Sequence, residues 1–151
     1  MSIPKEHQKT LENYYAALKS VDMEAWMKCH SPDVAYNVHG ATPVSGRWEG
    51  IDCVVQDLLP RLFSLLEPSS ANIPVRWQLM LADERRSAVI FDGESKTLSG
   101  EDYNNRYLQL HQFDDNGLIE EVWEFFDSDL ATTVLFSDDE QQPMSSKPFR
   151  Y

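Results

Sequence analysis

Apolar residues recur at helical spacing in the N-terminal part of the chain. Over about residues 5–20, one face of a predicted helix carries Leu11, Tyr14, Tyr15 and Leu18, at positions i, i+3, i+4 and i+7. Asp22 is placed to cap a second helix over about 22–30, which Ser31-Pro32 ends. The pattern predicts a third helix over 52–66. Pro60 should kink or split that helix, because proline lacks a backbone donor.

Alternating apolar and polar positions predict strands in the rest of the chain. They fall at about 33–39, 75–82, 86–92, 103–113 and 118–127. Asn116-Gly117 is a strong hairpin signal, and it joins the last two strands. Helices first and an antiparallel meander afterwards predict an α+β domain over 1–136. A polar tail over 137–151 follows the domain.

The charge balance narrows the range of partners. The 151 residues suit one domain, and 13 Lys and Arg against 25 Asp and Glu give a formal net charge of −12. A field of that sign repels phosphate, which argues against nucleic acid and against an anionic membrane surface. No apolar run has membrane-spanning length, and no signal-peptide core is present. Cys29 and Cys53 fit no metal or redox spacing, so we expect a cytoplasmic protein with reduced thiols.

Several short motifs resemble one known family. They are Tyr14-Tyr15-Ala16-Ala17-Leu18, Pro43-Val44-Ser45-Gly46, Gly100-x-x-Tyr103-Asn104-Asn105-Arg106-Tyr107, Asn116-Gly117-Leu118-Ile119 and Glu124-Phe125-Phe126-Asp127. Over about residues 8–130 the chain resembles the SnoaL-like polyketide cyclases. These belong to the superfamily of ketosteroid isomerase, limonene epoxide hydrolase and nuclear transport factor two. The resemblance implies a cone-shaped fold, in which three N-terminal helices pack on a curved, mostly antiparallel sheet and enclose a pocket.

The resemblance also decides which face of strand 103–113 points inward. The apolar face of a strand usually points to the core, which would bury Leu108 and Leu110. In the family the concave face lines the pocket, and the inner row becomes Asn105, Tyr107, Gln109 and His111. The same parity places Val122, Glu124 and Phe126 inside. It also predicts an apolar outer patch, which favours a homodimer through the convex sheet face, formed by Leu108, Leu110, Trp123 and Phe125.

Glu124 is the first candidate for chemistry. It resembles a catalytic carboxylate of the epoxide hydrolases and the carboxylate base of the cyclases. Beside Val122, Phe126 and Trp26 its carboxyl would be desolvated, which raises its pKa towards the range of a general base. The alternative is a glutamate in a salt bridge at the edge of the sheet.

His111 and Gln109, one strand away from Glu124, resemble the proton-moving pair that cyclases place in the cavity. The alternative for His111 is a hydrogen-bonded core residue. Tyr14 matches the tyrosine of ketosteroid isomerase, or it is ordinary helix packing. We expect Glu124 and His111 to share a proton directly or through one water, with Tyr14 and Gln109 on the same wall. The predicted substrate-binding residues are Tyr36, Asp92, Asn105, Tyr107, Phe126 and Trp26.

Two related mechanisms do not carry over in full. Asp92 matches the second carboxylate of the epoxide hydrolases, or it is a turn residue, but Ile90 stands where those enzymes need an arginine. The base position of ketosteroid isomerase falls at Asn37 or Val38 and its acid position at Gln109, and none of these side chains ionises. No His and carboxylate positions have metal-ligand spacing, so no metal is expected.

The leading hypothesis is a cofactor-independent cyclase or isomerase acting on a small hydrophobic carbonyl compound of polyketide or terpenoid type. Glu124 would remove a proton next to the carbonyl. The enolate would be stabilised by hydrogen-bond donors, for which the candidates are Tyr14, Gln109 and His111. The alternatives are a non-catalytic small-molecule binder and a protein-interaction module that works through its sheet face. An epoxide hydrolase is disfavoured by Ile90.

Overall fold

A computed structural model describes residues 3–137 of the chain. Helix α1 spans Lys5–Ser20, and helix α2 spans Met23–Met27. The Asp22 side chain caps α2 by accepting a hydrogen bond from the Ala25 backbone nitrogen at 3.0 Å, as predicted. Among residues 3–137, no helix is long and apolar enough to cross a membrane.

Helix α3 changes its hydrogen-bond pattern along its length. It consists of α-helical Ile51–Cys53, π-helical Val54–Leu58 and α-helical Leu59–Phe63. The change falls beside Pro60, which has no N–H to donate to the preceding turn. The predicted interruption is therefore confirmed, and it takes the form of a wide turn rather than a break.

Six strands form one sheet in the order β2-β1-β6-β5-β4-β3. Neighbouring strands are antiparallel except for β1 and β6, which run parallel. The α+β class and the mostly antiparallel sheet are confirmed. The strand bounds are His30–Val38 for β1, Gly46–Glu49 for β2, Asn72–Ala82 for β3, Arg86–Glu94 for β4, Asn105–Phe113 for β5 and Ile119–Phe126 for β6.

Three features of the fold were not predicted. Strand β1 begins at His30, within the segment expected to be helical, because its first residue pairs with the start of β6. Strand β2 has four residues, too few for a visible alternation, and its pairing with β1 defines it. A last helix, α4, follows β6 as α-helical Ser128–Leu130 and π-helical Ala131–Leu135. The predicted polar tail over 137–151 lies outside the described residues apart from Ser137.

The two faces of the sheet have the polarity that the resemblance implied. The helices cover the inner face, where the Tyr15 ring of α1 stacks on Trp77 of β3 with centroids 4.8 Å apart. The inner row of β5 is buried at Asn105, Gln109 and His111. The outer face carries the predicted apolar patch, whose members are all half-buried: Leu108, Leu110, Trp123 and Phe125.

Val21 ends helix α1 in a strained conformation. Its φ of 57° lies in the left-handed region, which a β-branched residue rarely adopts. The side chain is 65% exposed, so it contributes little packing. Replacing Val21 with Gly should raise the free energy of unfolding by about 1 kcal/mol, because glycine adopts this conformation without strain. Urea denaturation of the two proteins measures the difference, and a less stable glycine variant would contradict it.

Candidate functional site

A cavity of about 110 Å³ lies between the helices and the inner face of the sheet. Most of its wall is apolar. Helix α3 contributes Leu58, Leu59 and Leu62, and the C-terminal end of the described chain contributes Leu135 and Phe136. An enclosed, mostly apolar space with a few polar groups is typical of a small-molecule site. The polar side chains that line it are Tyr14, Trp26, Tyr36, Tyr103, Tyr107, Gln109 and Glu124.

The register of the sheet brings Gln109 and Glu124 together. The two residues are directly opposite each other on β5 and β6, and both side chains point to the inner face. Gln109 Nε2 donates a hydrogen bond of 2.5 Å to Glu124 Oε2. The second carboxylate oxygen, Oε1, has no hydrogen-bond partner among residues 3–137. Glu124 therefore has one oxygen held by the protein and one available to a ligand.

Glu124 is a carboxylate in apolar surroundings. Burial raises its pKa from the ordinary 4.5 to about 7, and the hydrogen bond from Gln109 opposes this only in part. The side chain is half-buried, because part of it lines the cavity. No basic side chain among residues 3–137 forms an ion pair with it, so the alternative of a salt-bridged edge glutamate does not describe this residue.

Gln109 is held by four hydrogen bonds. A carboxylate only accepts, so the amide atom that faces Glu124 is Nε2, which also donates to the Tyr14 hydroxyl at 3.2 Å. Oε1 accepts from the Tyr15 hydroxyl at 2.8 Å and from His111 Nε2 at 3.3 Å. Both donors and both acceptor sites of the amide are occupied, which fixes the direction in which Gln109 presents its N–H to Glu124.

A chain of hydroxyls extends this network to His30. His30 Nδ1 is 2.9 Å from the Trp26 carbonyl oxygen, which only accepts, so Nδ1 carries the hydrogen. Burial lowers the His30 pKa to about 4, so Nε2 is unprotonated and accepts from the Tyr36 hydroxyl at 2.8 Å. Tyr36 in turn accepts from Tyr14 at 3.2 Å. Along this chain Gln109 donates to Tyr14, Tyr14 to Tyr36 and Tyr36 to His30, and the other N–H hydrogen of Gln109 goes to Glu124. In this arrangement neither Tyr14 nor Gln109 has a hydrogen left for a ligand.

His30 is a network residue that the sequence pattern did not reveal. It was expected at the end of a helix, where histidines are usually exposed, but it is only 4% exposed. The available signal was its place directly before an alternating run, which makes it the first residue of a strand. The proximity of Ser31-Pro32, a typical helix end, hid that signal.

His111 does not reach the cavity that it was expected to line. It belongs to the inner row of β5, but it pairs with Val122 and does not line the cavity. Burial lowers its pKa to about 3, so the ring is neutral, donates to Gln109 and accepts from the Ser87 hydroxyl at 3.0 Å. Gln109 stands between His111 and Glu124, so the expected direct or water-mediated sharing of a proton is corrected. His111 instead orients Gln109.

Asp92 points away from the cavity. It lies on the outer face of β4, where it accepts hydrogen bonds from Arg76 at 2.8 Å and from Arg106 at 2.7 Å. These guanidinium groups lower its pKa to about 2. The prediction that Asp92 contacts the substrate is corrected, because the parity of β4 directs its side chain outward. The second carboxylate of an epoxide hydrolase is therefore missing from the cavity as well.

Asn105 is buried on the inner face but does not line the cavity. Its amide oxygen accepts from the backbone nitrogens of Arg106 and Asp127 at 2.8 and 3.1 Å. Its Nδ2 donates to the Asp127 carbonyl oxygen at 3.1 Å and to the Tyr103 hydroxyl at 3.2 Å. The predicted contact of Asn105 with the substrate is corrected to a contact with the chain after β6.

The structure places seven of the predicted site residues on the cavity wall: Tyr14, Gln109, Glu124, Tyr36, Tyr107, Phe126 and Trp26. Tyr103 also lines the cavity, although no site role was predicted for it from the sequence pattern. The signal for Tyr103 was its place in the same alternating row as Tyr107. Within the described residues, no group of three or more His, Cys, Asp and Glu side chains is arranged to hold a metal ion.

Solved structures resemble this fold at low sequence identity. An NTF2-like protein of unknown function from Burkholderia pseudomallei has a TM-score of 0.69 and 14% identity, over 87% of this chain and 98% of that one. TerC, co-crystallised with polyporic acid, has a TM-score of 0.72 and 16% identity, over 87% and 99%. A candidate polyketide cyclase from Pseudomonas putida has a TM-score of 0.67 and 17% identity, over 85% and 97%. Identities this low show the fold alone.

Comparison of sequences identifies the family. No protein of curated function is significantly similar to this chain. The family model of the SnoaL-like domain matches residues 11–122, which includes Tyr14 and Gln109 and ends two residues before Glu124. That match covers most of the sequence, and the NTF2-like structural neighbours agree with it. The expected fold is therefore confirmed, and the chain belongs to the SnoaL-like domain family.

Proposed function

We propose that the protein is a cofactor-independent cyclase or isomerase that acts on a small hydrophobic carbonyl compound, with Glu124 as its general base. The observation that carries this proposal is the raised pKa of the Glu124 carboxyl together with the surroundings of its two oxygens. It is a carboxylate with a pKa of about 7, held at one oxygen by Gln109 and open to an apolar cavity at the other. A base is most effective when its pKa lies near the working pH.

The proposed step is the removal of a proton from the carbon next to a carbonyl. Glu124 Oε1 takes the proton, the C–H electron pair becomes the enolate double bond, and the carbonyl π electrons move to oxygen. Where the ketone carries a C=C bond between its β and γ carbons, the enolate is a dienolate, and an isomerase returns the proton from Glu124 to the γ carbon. In a cyclase the enolate carbon attacks a second carbonyl carbon of the same molecule, and the proton goes to the alkoxide that forms. Atoms and charge balance in both cases.

The network around Glu124 supports a positioning role for the residues behind it. Gln109 keeps one carboxylate oxygen occupied, so the free oxygen faces the cavity. Tyr14, Tyr15 and His111 hold Gln109 in that orientation. Groups arranged before the substrate binds do not have to reorganise during the reaction, which is the main advantage of such a site.

The proposal is tested without knowing the natural substrate. Hydrogens next to the carbonyl of a small ketone such as acetophenone exchange with D₂O when a base removes them. NMR detects the loss of the methyl signal, and we expect the protein to accelerate this exchange. Binding of the ketone without faster exchange would favour the non-catalytic binder instead.

The location of the protein in the cytoplasm stays a prediction. Cys29 and Cys53 are both free thiols.

The outer apolar patch supports a second proposal, that the protein is a homodimer formed through the sheet. The patch combines half-buried apolar side chains with Trp123 Nε1, a buried donor without an acceptor among residues 3–137. Ion pairs of Arg47 with Glu121 and of Arg106 with Asp92 lie on the same face. An apolar centre with charged groups at its rim is typical of an interface.

Replacing Leu110 with Glu should convert the dimer into a monomer, because it would bury a charge at the centre of the interface. Light scattering should give twice the 17.4 kDa chain mass for the unmodified protein and the chain mass for the variant. Leu98→Glu is the matched control, since Leu98 is 67% exposed and lies outside the patch. A monomeric unmodified protein at micromolar concentration would contradict the prediction.

A further inference from the structure

Within residues 3–137, Tyr103 is a cavity residue whose hydroxyl accepts a hydrogen bond but donates none. The ring lines the cavity and is 5% exposed. Its backbone is fixed on both sides by Ser95, which accepts from the Tyr103 nitrogen at 2.8 Å and donates through its hydroxyl to the Tyr103 carbonyl at 3.0 Å. The ring therefore starts from a rigid point of the chain, immediately before β5.

The orientation of the neighbouring amide decides the direction of the Tyr103 hydroxyl. Asn105 Oδ1 faces two backbone N–H groups, of Arg106 and Asp127, which can only donate. The atom that faces the Tyr103 hydroxyl at 3.2 Å must then be Nδ2, which can only donate. Tyr103 accepts this bond, so its own hydrogen points elsewhere. The neighbouring Tyr107 hydroxyl also acts as a donor to the Tyr103 oxygen, so among residues 3–137 the Tyr103 hydroxyl accepts hydrogen bonds and donates none.

The electrostatics of the site agree with a donor role for Tyr103. Its pKa is raised, chiefly by burial and further by the Glu124 charge, so the hydroxyl stays protonated at neutral pH. Hydrogen bonding to Asn105 and Tyr107 acts in the opposite direction, because it stabilises negative charge on the Tyr103 oxygen. A hydroxyl whose oxygen accepts a hydrogen bond is a stronger donor of its own hydrogen.

We propose that Tyr103 donates a hydrogen bond to the carbonyl oxygen of the ligand and to the enolate oxygen that replaces it. Asn105 is the positioning residue, because it occupies the Tyr103 oxygen and turns the hydrogen into the cavity. The ligand is then an uncharged ketone whose carbonyl oxygen meets Tyr103 while the adjacent C–H meets Glu124. This inference rests on the proposed function and assigns the donor that Tyr14 and Gln109, with their hydrogens committed, do not supply.

The test measures binding and not turnover. Acetophenone labelled with ¹³C at its carbonyl is bound to the 151-residue protein, and the carbonyl stretch is recorded by difference infrared spectroscopy. A hydrogen bond lowers that frequency. We expect the lowered frequency in the unmodified protein and its loss in Tyr103→Phe, with an affinity about three- to tenfold weaker. Cyclohexanone and 1-acetylnaphthalene extend the probe to smaller and larger ketones.

Three further variants make the assignment specific. Ser95→Ala removes a bond to the Tyr103 backbone but leaves the hydroxyl free, so the frequency should stay lowered. In Asn105→Asp one carboxylate oxygen still accepts from the backbone nitrogens of Arg106 and Asp127. The other carboxylate oxygen replaces the Nδ2 donor, so the Tyr103 hydroxyl donates its hydrogen to it and not to the ketone. The frequency shift should therefore disappear although the Tyr103 hydroxyl is present. Tyr107→Phe removes the neighbouring cavity hydroxyl and should leave the shift in place. Circular dichroism confirms that each variant is folded.

The outcomes separate this inference from the proposed function. A shift that persists in Tyr103→Phe, or that disappears only in Tyr107→Phe, would overturn the assignment of Tyr103. Failure of all three ketones to bind the unmodified protein would overturn it too, because a free donor in an apolar cavity has to recognise a carbonyl oxygen. A Tyr103-dependent shift without catalysed hydrogen exchange would leave the donor in place and refute the role of Glu124.

Discussion

Replacing Glu124 with Gln is expected to slow the protein-catalysed exchange of ketone hydrogens about 10²–10⁴-fold, the range that a general base contributes. Glutamine keeps the shape of the side chain, and its oxygen still accepts the hydrogen bond from Gln109. It cannot take up a proton, so only the chemistry is lost. The measurement is the NMR exchange rate of acetophenone in D₂O at saturating ketone, together with the dissociation constant, which should change little.

The matched control for this prediction is Glu120→Gln. Glu120 is on the same strand, accepts a hydrogen bond from Gln112 at 2.8 Å and does not line the cavity. The same chemical change there should leave exchange unaltered. The exchange rate of the unmodified protein should also rise with pH and level off above about 7, as Glu124 loses its proton. Equal rates for Glu124→Gln and the unmodified protein would refute the proposed base.

The same substitution should stabilise the protein at alkaline pH by roughly 3 kcal/mol. The Glu124 pKa lies at about 7 in the folded protein against 4.5 for an ordinary glutamate, so folding disfavours the charged form. Below pH 4.5 the carboxyl is protonated in both states and this effect vanishes. Between pH 4.5 and 7 the folded protein retains a proton that the unfolded chain releases, so stability falls as pH rises.

Urea denaturation at a series of pH values measures this second effect. The difference in unfolding free energy between Glu124→Gln and the unmodified protein should grow from pH 4.5 to 7 and stay constant above that range. Other titrating groups are common to both proteins and cancel in the difference. Glu120→Gln should give a difference without such a pH dependence. A Glu124→Gln variant that loses stability at pH 8 would show that the carboxylate is well solvated in the folded protein.

Local sequence patterns were sufficient for most of the individual elements. Helix α1 was predictable because its apolar residues repeat at the period of a helix, and Asp22 supplied a recognisable cap. The last hairpin was predictable because Gly117 adopts a φ of 77°, which the Asn-Gly pair accommodates. Strand β2 and helix α4 were missed, since short elements are defined by what they pack against more than by their own composition.

The sequence predicted which side chains of the candidate site share one face of a strand. It did not predict which of those side chains contact each other. Alternation has a period of two residues and is a local property, so the sequence placed Gln109 and His111 on one face of β5. The depth of each residue in the cone depends on which helix covers it, and this separates His111 from the cavity. The parity of β4 directs Asp92 outward, where it forms ion pairs with Arg76 and Arg106.

The sequence by itself determined the class of fold and which side chains of the last strands share a face, because both follow from residue type and local periodicity. The resemblance to a known family, and not the periodicity, indicated which of those faces is the inner one and that Glu124 lies on it. Only the tertiary structure decided that Glu124 faces Gln109, that His30 ends the hydroxyl chain and that the Tyr103 hydrogen is free. These facts depend on the register between β5 and β6 and on the direction of individual hydrogen bonds. Both are set by contacts between residues far apart in the chain, which no local pattern encodes.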